Sequence, residues 1–226
     1  MSVLRSTGLK SNGVFRSVIF SDQYSTKSGK CLRFPISNVR KFSGRNSVGV
    51  RGIRLSKDDT VISMYILKHA KFTIDERNDY LKIANAIRRK ELRRSMPYSK
   101  LSKETKLSEE KFIQMESLEE FILSVADKGY GKRSSAYEYR ITSRGGKGIA
   151  NMAVSKKTGK VVSSFPITEK DDVMLITGTG KLIRSPVNKI RIAGRTTQGV
   201  TLFRVESSEK VLSAASIKDL NIISEE

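Results

Sequence analysis

Short apolar runs separated by polar, glycine-marked turns set the pattern along most of this chain. Phe121–Val125 (FILSV) and Val173–Thr177 (VMLIT) are two such runs. Two more, Ile149–Val154 and Val200–Val205, follow a glycine. The polar turns Lys157–Gly159 and Ser207–Glu209 then lead into Val161-Val162 and Val211-Leu212. Short strands bounded by Gly, Ser, Asn and Asp at regular spacing predict an all-β array. Along Val200–Val205, Val200 and Leu202 point to one side while Thr201, Phe203 and Val205 point to the other. Apolar side chains on both faces suit a sheet covered on both sides, as in stacked propeller blades.

Residues 67–120 break this pattern. Thr73-Ile-Asp-Glu76 reads as a capping box, in which hydroxyl and carboxylate each satisfy the other residue's backbone N–H. Tyr80, Ala84 and Ile87 then recur at helical spacing, as do Phe112, Met115 and Leu118 within 108–118. Met96-Pro97-Tyr98 separates the two stretches. The segment predicts a helical insertion projecting from the blades.

The strands belong to a repeat. Gly29-Lys30 opens one copy, with Arg33, Pro35 and Val39-Arg40 following; Gly180-Lys181 opens another, with Arg184, Pro186 and Ile190-Arg191. Gly44-Arg45 and Gly49-Val50 in the first copy answer Gly194-Arg195 and Gly199-Val200. A looser copy aligns Gly131-Lys132-Arg133, Tyr139-Arg140 and Arg144–Ile149. Gly13-Val14 echoes the same glycine step, and Val18-Ile19-Phe20 is expected where Met174–Ile176 stands later. The expected organisation is a remnant of a preceding blade plus the first strand of the next over 1–24. Blades follow at 25–66, 121–170 and 171–216 around the insertion at 67–120, with a tail at 217–226.

Charge narrows the function. The 226 residues hold 43 Lys+Arg against 23 Asp+Glu, a formal net charge of +20. A domain this basic repels itself, and a polyanion partner is the usual reason. With 38% apolar residues the chain is no disordered basic tail. One cysteine, Cys31, and one histidine, His69, leave no internal disulfide and no His/Cys zinc site. The start lacks the apolar core of a signal peptide, and no run reaches bilayer-spanning length. A reducing cytoplasm is expected, with no membrane partner, metal or cofactor.

The strings Gly44–Leu55 (GRNSVGVRGIRL), Gly129–Arg133 (GYGKR) and Ile192–Arg204 (IAGRTTQGVTLFR) closely resemble blades of the DNA gyrase A C-terminal domain. The resemblance covers residues 15–65 and 120–214, in the order of that family's last three blades. It looks more like gyrase than the paralogous topoisomerase IV protein. It implies a β-pinwheel of four-stranded blades whose basic rim wraps duplex DNA, associated with the nucleoid. Arg144-Gly-Gly-Lys-Gly148 resembles the last five residues of the family's Gln-Arg-Arg-Gly-Gly-Lys-Gly box, but in a late blade. The family's DNA-cleaving portion and most of its first three blades have no counterpart here, so no catalysis is expected of this chain. The resemblance also implies the remaining gyrase A chain and gyrase B as partners. Self-association through exposed end blades is a further expectation, because three blades leave the family's six-blade ring open. A decayed or partly folded gyrase A remnant is one alternative. A protein-interaction propeller fragment is another, though its usual Trp signatures are absent.

The candidate DNA-contacting residues are the cations beside glycine turns: Lys30, Arg33, Arg40, Arg45, Arg51, Lys132, Arg133, Arg140, Arg144, Lys147, Lys181, Arg184, Arg191 and Arg195. Glycine lets the backbone approach closely, and side chains and freed N–H groups both reach phosphate oxygens. For any one of them the alternative is a solvated surface or an ion pair within a blade, but an excess of +20 cannot be paired internally. No pattern offers side chains to base edges, so sequence preference should arise from bendability. Gly145-Gly146 and Gly178–Gly180 are expected to be tight turns, because phosphate loops need Gly-Lys-Ser/Thr and a following helix. Arg88–Lys90 with Arg93-Arg94 read as a solvated helix face, with auxiliary DNA contact as the other option. Tyr130, Tyr137 and Tyr139 read as packing residues, and Cys31 and His69 as structural. Asp58-Asp59 and Asp171-Asp172 are expected at matching turns.

Overall fold

The computed structural model describes residues 19–41, 46, 48–69, 72–90, 105–206 and 209–218. Its elements run β1 (Ile19–Thr26), β2 (Lys30–Pro35), β3 (Val61–His69), then α1 (Ile74–Lys90) and α2 (Glu109–Ser117). Next come β4 (Phe121–Ala126), β5 (Tyr130–Ser135), β6 (Ile149–Ala150) and β7 (Val161–Ile167). The last are β8 (Asp172–Thr177), β9 (Leu182–Pro186), β10 (Val200–Thr201) and β11 (Val211–Ile217). They form three antiparallel sheets, ordered β3-β1-β2-β6, β10-β5-β4-β7 and β11-β8-β9.

Each unit opens with a hairpin, β1–β2, β4–β5 or β8–β9, closed by a glycine in the left-handed region: Gly29 (φ 79°), Gly129 (φ 77°) and Gly180 (φ 81°). At the first two a Cβ would also lie 2.3 Å from the carbonyl oxygen of Met152 or Phe203. These glycines correct the sequence alignment. The counterpart of Gly29 is Gly129, not Gly131, a slip of two residues. Ser21 pairs with Pro35 as Asp172 pairs with Pro186, so the counterparts of Met174–Ile176 are Gln23–Ser25, not Val18–Phe20. Buried polar side chains on β1 hid that strand from an apolar search: Ser21, Gln23 and Ser25 are all inside. Residues 1–18, including Gly13-Val14, lie outside the described part.

The units interlock. β6 of the second unit completes the first sheet, pairing Ile149 with Cys31 and Ala150 with Lys30. β10 of the third unit completes the second sheet, pairing Val200 with Gly131 and Thr201 with Tyr130. The unit over 121–170 thus lends one of its strands, β6, backwards to the first sheet. The third sheet has three strands among the described residues. The strands expected over 149–154 and 200–205 shrink to two residues each, because the chain then bends around one carbonyl. Asn151 and Met152 N–H groups both donate to the Gly29 oxygen at 2.8 and 3.1 Å, as Leu202 and Phe203 do to Gly129 at 2.8 and 3.3 Å.

Apolar faces close between the sheets. Cys31, Tyr65, Leu67, Ile122 and Tyr139 fill one layer, and Leu123, Val125, Val173, Leu175 and Val211 the next. Burying each such side chain contributes on the order of 1.5–3 kcal/mol. Burial also pushes the Cys31 thiol up to about 12, despite the nearby cations Arg195, Lys132 and Arg33.

The insertion is helical as its capping box indicates. Thr73 N–H donates to Glu76 Oε2 at 2.7 Å, and Glu76 N–H to Thr73 Oγ1 at 3.1 Å. Ser108 caps α2, and Tyr80, Ala84, Phe112 and Met115 share a core that Leu118 does not join. Tyr137 docks this core on the second unit, its hydroxyl donating to the Met115 carbonyl at 2.9 Å. Arg88 leaves the expected solvated face to pair with Glu119 at 2.5 Å and cover the Phe121 ring. Met96–Tyr98 and Arg93-Arg94 lie outside the described residues. The two aspartate pairs do not match: Asp58-Asp59 leads into β3, the last strand of its unit, while Asp171-Asp172 leads into β8, the first of its own.

Candidate nucleic-acid interface

The cations at the repeat's arginine position face three different surroundings. Arg33 is buried. Its Nε donates to Ser21 Oγ at 2.7 Å, and its terminal nitrogens to the Ala136 and Lys68 carbonyls at 2.9 and 3.2 Å. Desolvation lowers its pKa to about 10. Arg133 repeats the arrangement one unit on, donating to the Ile190 carbonyl at 2.6 Å, Asn188 carbonyl at 3.3 Å and Glu169 carboxylate at 3.1 Å. Both arginines rivet one unit to the short 3-10 turn of the next, over Ala136–Glu138 or Val187–Lys189. Lys132 is fully enclosed, its ammonium donating to the Gly194 carbonyl at 2.6 Å, and burial pushes its pKa down to about 7. Arg33, Lys132 and Arg133 are thus corrections to the candidate set: these buried side chains spend their donors on backbone carbonyls, the Ser21 hydroxyl and the Glu169 carboxylate rather than offering them to a phosphate.

Arg184, at the same repeat position in the third unit, is exposed and ion-paired with Asp172 at 2.5 Å. Lys181 is exposed and held by Glu206 and Glu209, each at 3.3 Å, which bind its proton more tightly. Lys30 is half-buried on β2, and Arg45 lies outside the described residues.

Of the remaining candidates, Arg140, Arg144, Lys147, Arg191 and Arg195 sit on the two glycine-rich loops that cross the junctions, and Arg40 and Arg51 lie in the matching segment of the first unit. The loop 140–149 lies against β2, where Thr142 N–H donates to the Arg33 carbonyl at 2.9 Å. Gly148 (φ 77°) presses so close that a Cβ would meet the Cys31 oxygen at 2.6 Å. Arg140, Arg144 and Lys147 line one open cleft there with Gly145 and Gly146. The loop 191–200 repeats this on β5, Ala193 N–H donating to the Arg133 carbonyl at 2.8 Å and Gly199 (φ 78°) seated on Gly131. Each loop arginine also grips the unit before it at the same repeat position: Arg144 Nη1 to the Arg51 carbonyl at 3.3 Å, Arg195 Nη1 to the Ala150 carbonyl at 2.8 Å. Arg144 Nε reaches the Asn38 carbonyl at 3.1 Å, next to the exposed Arg40.

The loops therefore join into a ribbon. Arg54 N–H donates to the Gly146 carbonyl at 2.8 Å, and its counterpart Ala153 N–H to the Thr197 carbonyl at 3.1 Å. Arg51, Arg140, Arg144, Lys147 and Arg191 are exposed along it and make no close ion pair among the described residues. Exposed Arg54 was missed as a candidate; its place in the run Val50-Arg51-Gly52-Ile53-Arg54 was the available signal. Guanidinium and ammonium groups with free donors beside close-packed backbone can grip successive phosphates of a duplex. Among the described residues no helix is long and apolar enough to cross a membrane.

A family model described as the DNA gyrase C-terminal domain, beta-propeller, matches residues 25–68, 120–168 and 171–218. The chain belongs to this gyrase C-terminal domain family. Its matched spans are the three units of the fold, interrupted by the helical insertion. The DNA gyrase A protein of Rickettsia bellii (strain RML369-C) is 48% identical over 202 residues, covering 89% of this chain and 22% of that protein. The DNA gyrase A protein of Campylobacter jejuni is 34% identical over 196 residues, covering 87% and 17%. The chain thus spans about a fifth of the curated relatives it matches. A solved gyrase A C-terminal domain superposes with a TM-score of 0.59 at 19% identity, covering 88% of this chain and 51% of that one. The C-terminal domain of a topoisomerase IV gives 0.60 at 16% identity, covering 88% and 47%. At these identities the superpositions establish the β-pinwheel fold.

Proposed function

We propose that this gyrase C-terminal domain binds duplex DNA along the loop ribbon and bends it with little sequence preference. In this reading it serves as a non-catalytic part of an ATP-dependent type II topoisomerase, with the remaining gyrase A chain and gyrase B as partners at the nucleoid. The observation that carries this is the repetition, unit after unit, of cations that make no close ion pair among the described residues: Arg51 and Arg54, then Arg140, Arg144 and Lys147, then Arg191 and Arg195. The ribbon offers guanidinium groups to phosphates, so readout would be electrostatic with bendability setting preference.

Duplex affinity measured across salt concentrations tests this. Neutralising about six phosphates predicts a slope of log K on log salt near −5. A slope near zero removes the electrostatic reading. Ligating nicked circles with the protein present tests bending: a linking-number shift of constant sign marks chiral wrapping, and binding without a shift denies it. Relaxation of supercoiled plasmid by the pure chain would refute the non-catalytic assignment.

A further inference from the structure

The two junctions inside the chain share one design. The acceptor side offers the hairpin glycine carbonyl, the free edge of β2 or β5 and the riveting arginine. The donor side offers a two-residue strand, two N–H groups just after it and a 3-10 turn. Among the described residues the third unit carries the same acceptor parts uncovered. A Cβ at Gly180 would meet nothing within 4 Å. On β9, Leu182 is 64% exposed where its counterpart Cys31 is 0%. The Arg184 side chain is 61% exposed where that of Arg133 is 6%. Ile176 and Leu212 add exposed apolar surface on the same sheet.

The first unit carries the donor parts, also uncovered among the described residues. Val50-Arg51 is the counterpart of β6 and β10, with Gly52 and Ile53 in place of the bending residues. The 3-10 turn Ile36–Asn38 contains no buried residue, whereas Ala136 and Val187 at its first position elsewhere are enclosed. Met64 on β3 is 40% exposed where its counterpart Ser164 is 0%. Acceptor and donor lie at opposite ends of the stack.

We propose that the β9 edge of one copy binds the Val50–Ile53 segment of a second copy, head to tail. This continues an interface already formed twice within the chain. Val50 N–H and carbonyl groups would extend the third sheet beyond β9, as Ile149 extends the first sheet beyond β2. Gly52 and Ile53 would donate to the Gly180 carbonyl, and the partner's turn carbonyls would take Arg184 from Asp172. Leu182 and Val50 would leave water together, which favours association. Such a contact is heterologous, so it either closes a small ring or propagates a filament.

The test is the mass of the full chain in solution. It is read by sedimentation over a range of concentrations, on nuclease-treated protein at high salt so that nucleic acid cannot bridge copies. Concentration-dependent association beyond the monomer is expected. Leu182→Asp breaks the acceptor and Val50→Asp the donor, and each is expected to weaken association at least about tenfold. Far-UV circular dichroism checks their folding, with Leu182→Ser and Val50→Ser as the milder pair. Mixing the two broken variants gives the decisive result. The intact donor of one should seat on the intact acceptor of the other, restoring a dimer that grows no further. A monomeric wild type at its highest soluble concentration overturns the proposal. Association that both variants retain, or a mixture that stays monomeric beside an associating wild type, overturns it equally.

Discussion

Replacing the riveting arginine tests the interlocked architecture, because one repeat position is buried in one unit and exposed in another. Arg133→Ala removes donation to the Ile190 carbonyl at 2.6 Å and the Asn188 carbonyl at 3.3 Å, both inside the junction. It also removes the Glu169 pair, whose carboxylate is largely exposed and contributes little. Two charge-assisted bonds lost, with their carbonyls left dry and a cavity behind them, sum to about 3 kcal/mol. For a domain of this size that lowers Tm by about 6–12 °C. Arg184→Ala removes only an exposed pair with Asp172, so about 0–1 kcal/mol is expected. Thermal and urea unfolding of both variants at low protein concentration measure the contrast. Equal losses would refute the claim that this position works as a rivet. Duplex affinity is a second readout: folded Arg133→Ala should bind as wild type, and a loss matching that of Arg140→Ala would put Arg133 on the DNA.

Replacing Arg140, Lys147 or Arg191 by Ala should each reduce the salt slope by about one and leave Tm unchanged, as read by binding titrations at several salt concentrations. Lys132, with its pKa lowered to about 7 by burial, binds its proton less readily folded than unfolded. Its contribution to stability therefore rises with pH from about 7 to about 10. Lys132→Met should flatten the unfolding profile in that window, and an unchanged slope would rule out the buried ammonium as its source. Thr73→Ala should destabilise α1 by about 1 kcal/mol through loss of the capping box, measurable by helical circular dichroism or hydrogen exchange. Native Cys31, buried with its thiol raised to about 12, should resist maleimide until the protein unfolds; rapid labelling at pH 8 would contradict its placement.

Much of the fold was legible because its signals are local. Short apolar runs placed β4, β7, β8 and β11, and Thr73–Glu76 marked the start of α1. The glycine steps identified the repeat and the loops where exposed cations gather. Reading them two residues out of register at Gly131 put Lys132 among surface cations, when it stands at the repeat position of buried Leu32. Gln23 and Ser25 hid β1, since buried polar residues look like a turn to any search for apolar runs.

By itself the sequence determined the spacing of strands, the turn glycines, the capped helices and the surplus of positive charge. These follow from backbone sterics, side-chain alternation and composition, which act over a few residues or over none. Only the tertiary structure decided which unit's strand completes which sheet, and whether an arginine points at water or at a neighbour's carbonyls. Arg33 meets Ala136 across 103 positions of chain, and Arg184 has no such neighbour among the described residues. Identical local sequence logic thus yields a buried rivet in one unit and an exposed ion pair in another, because burial depends on what packs alongside.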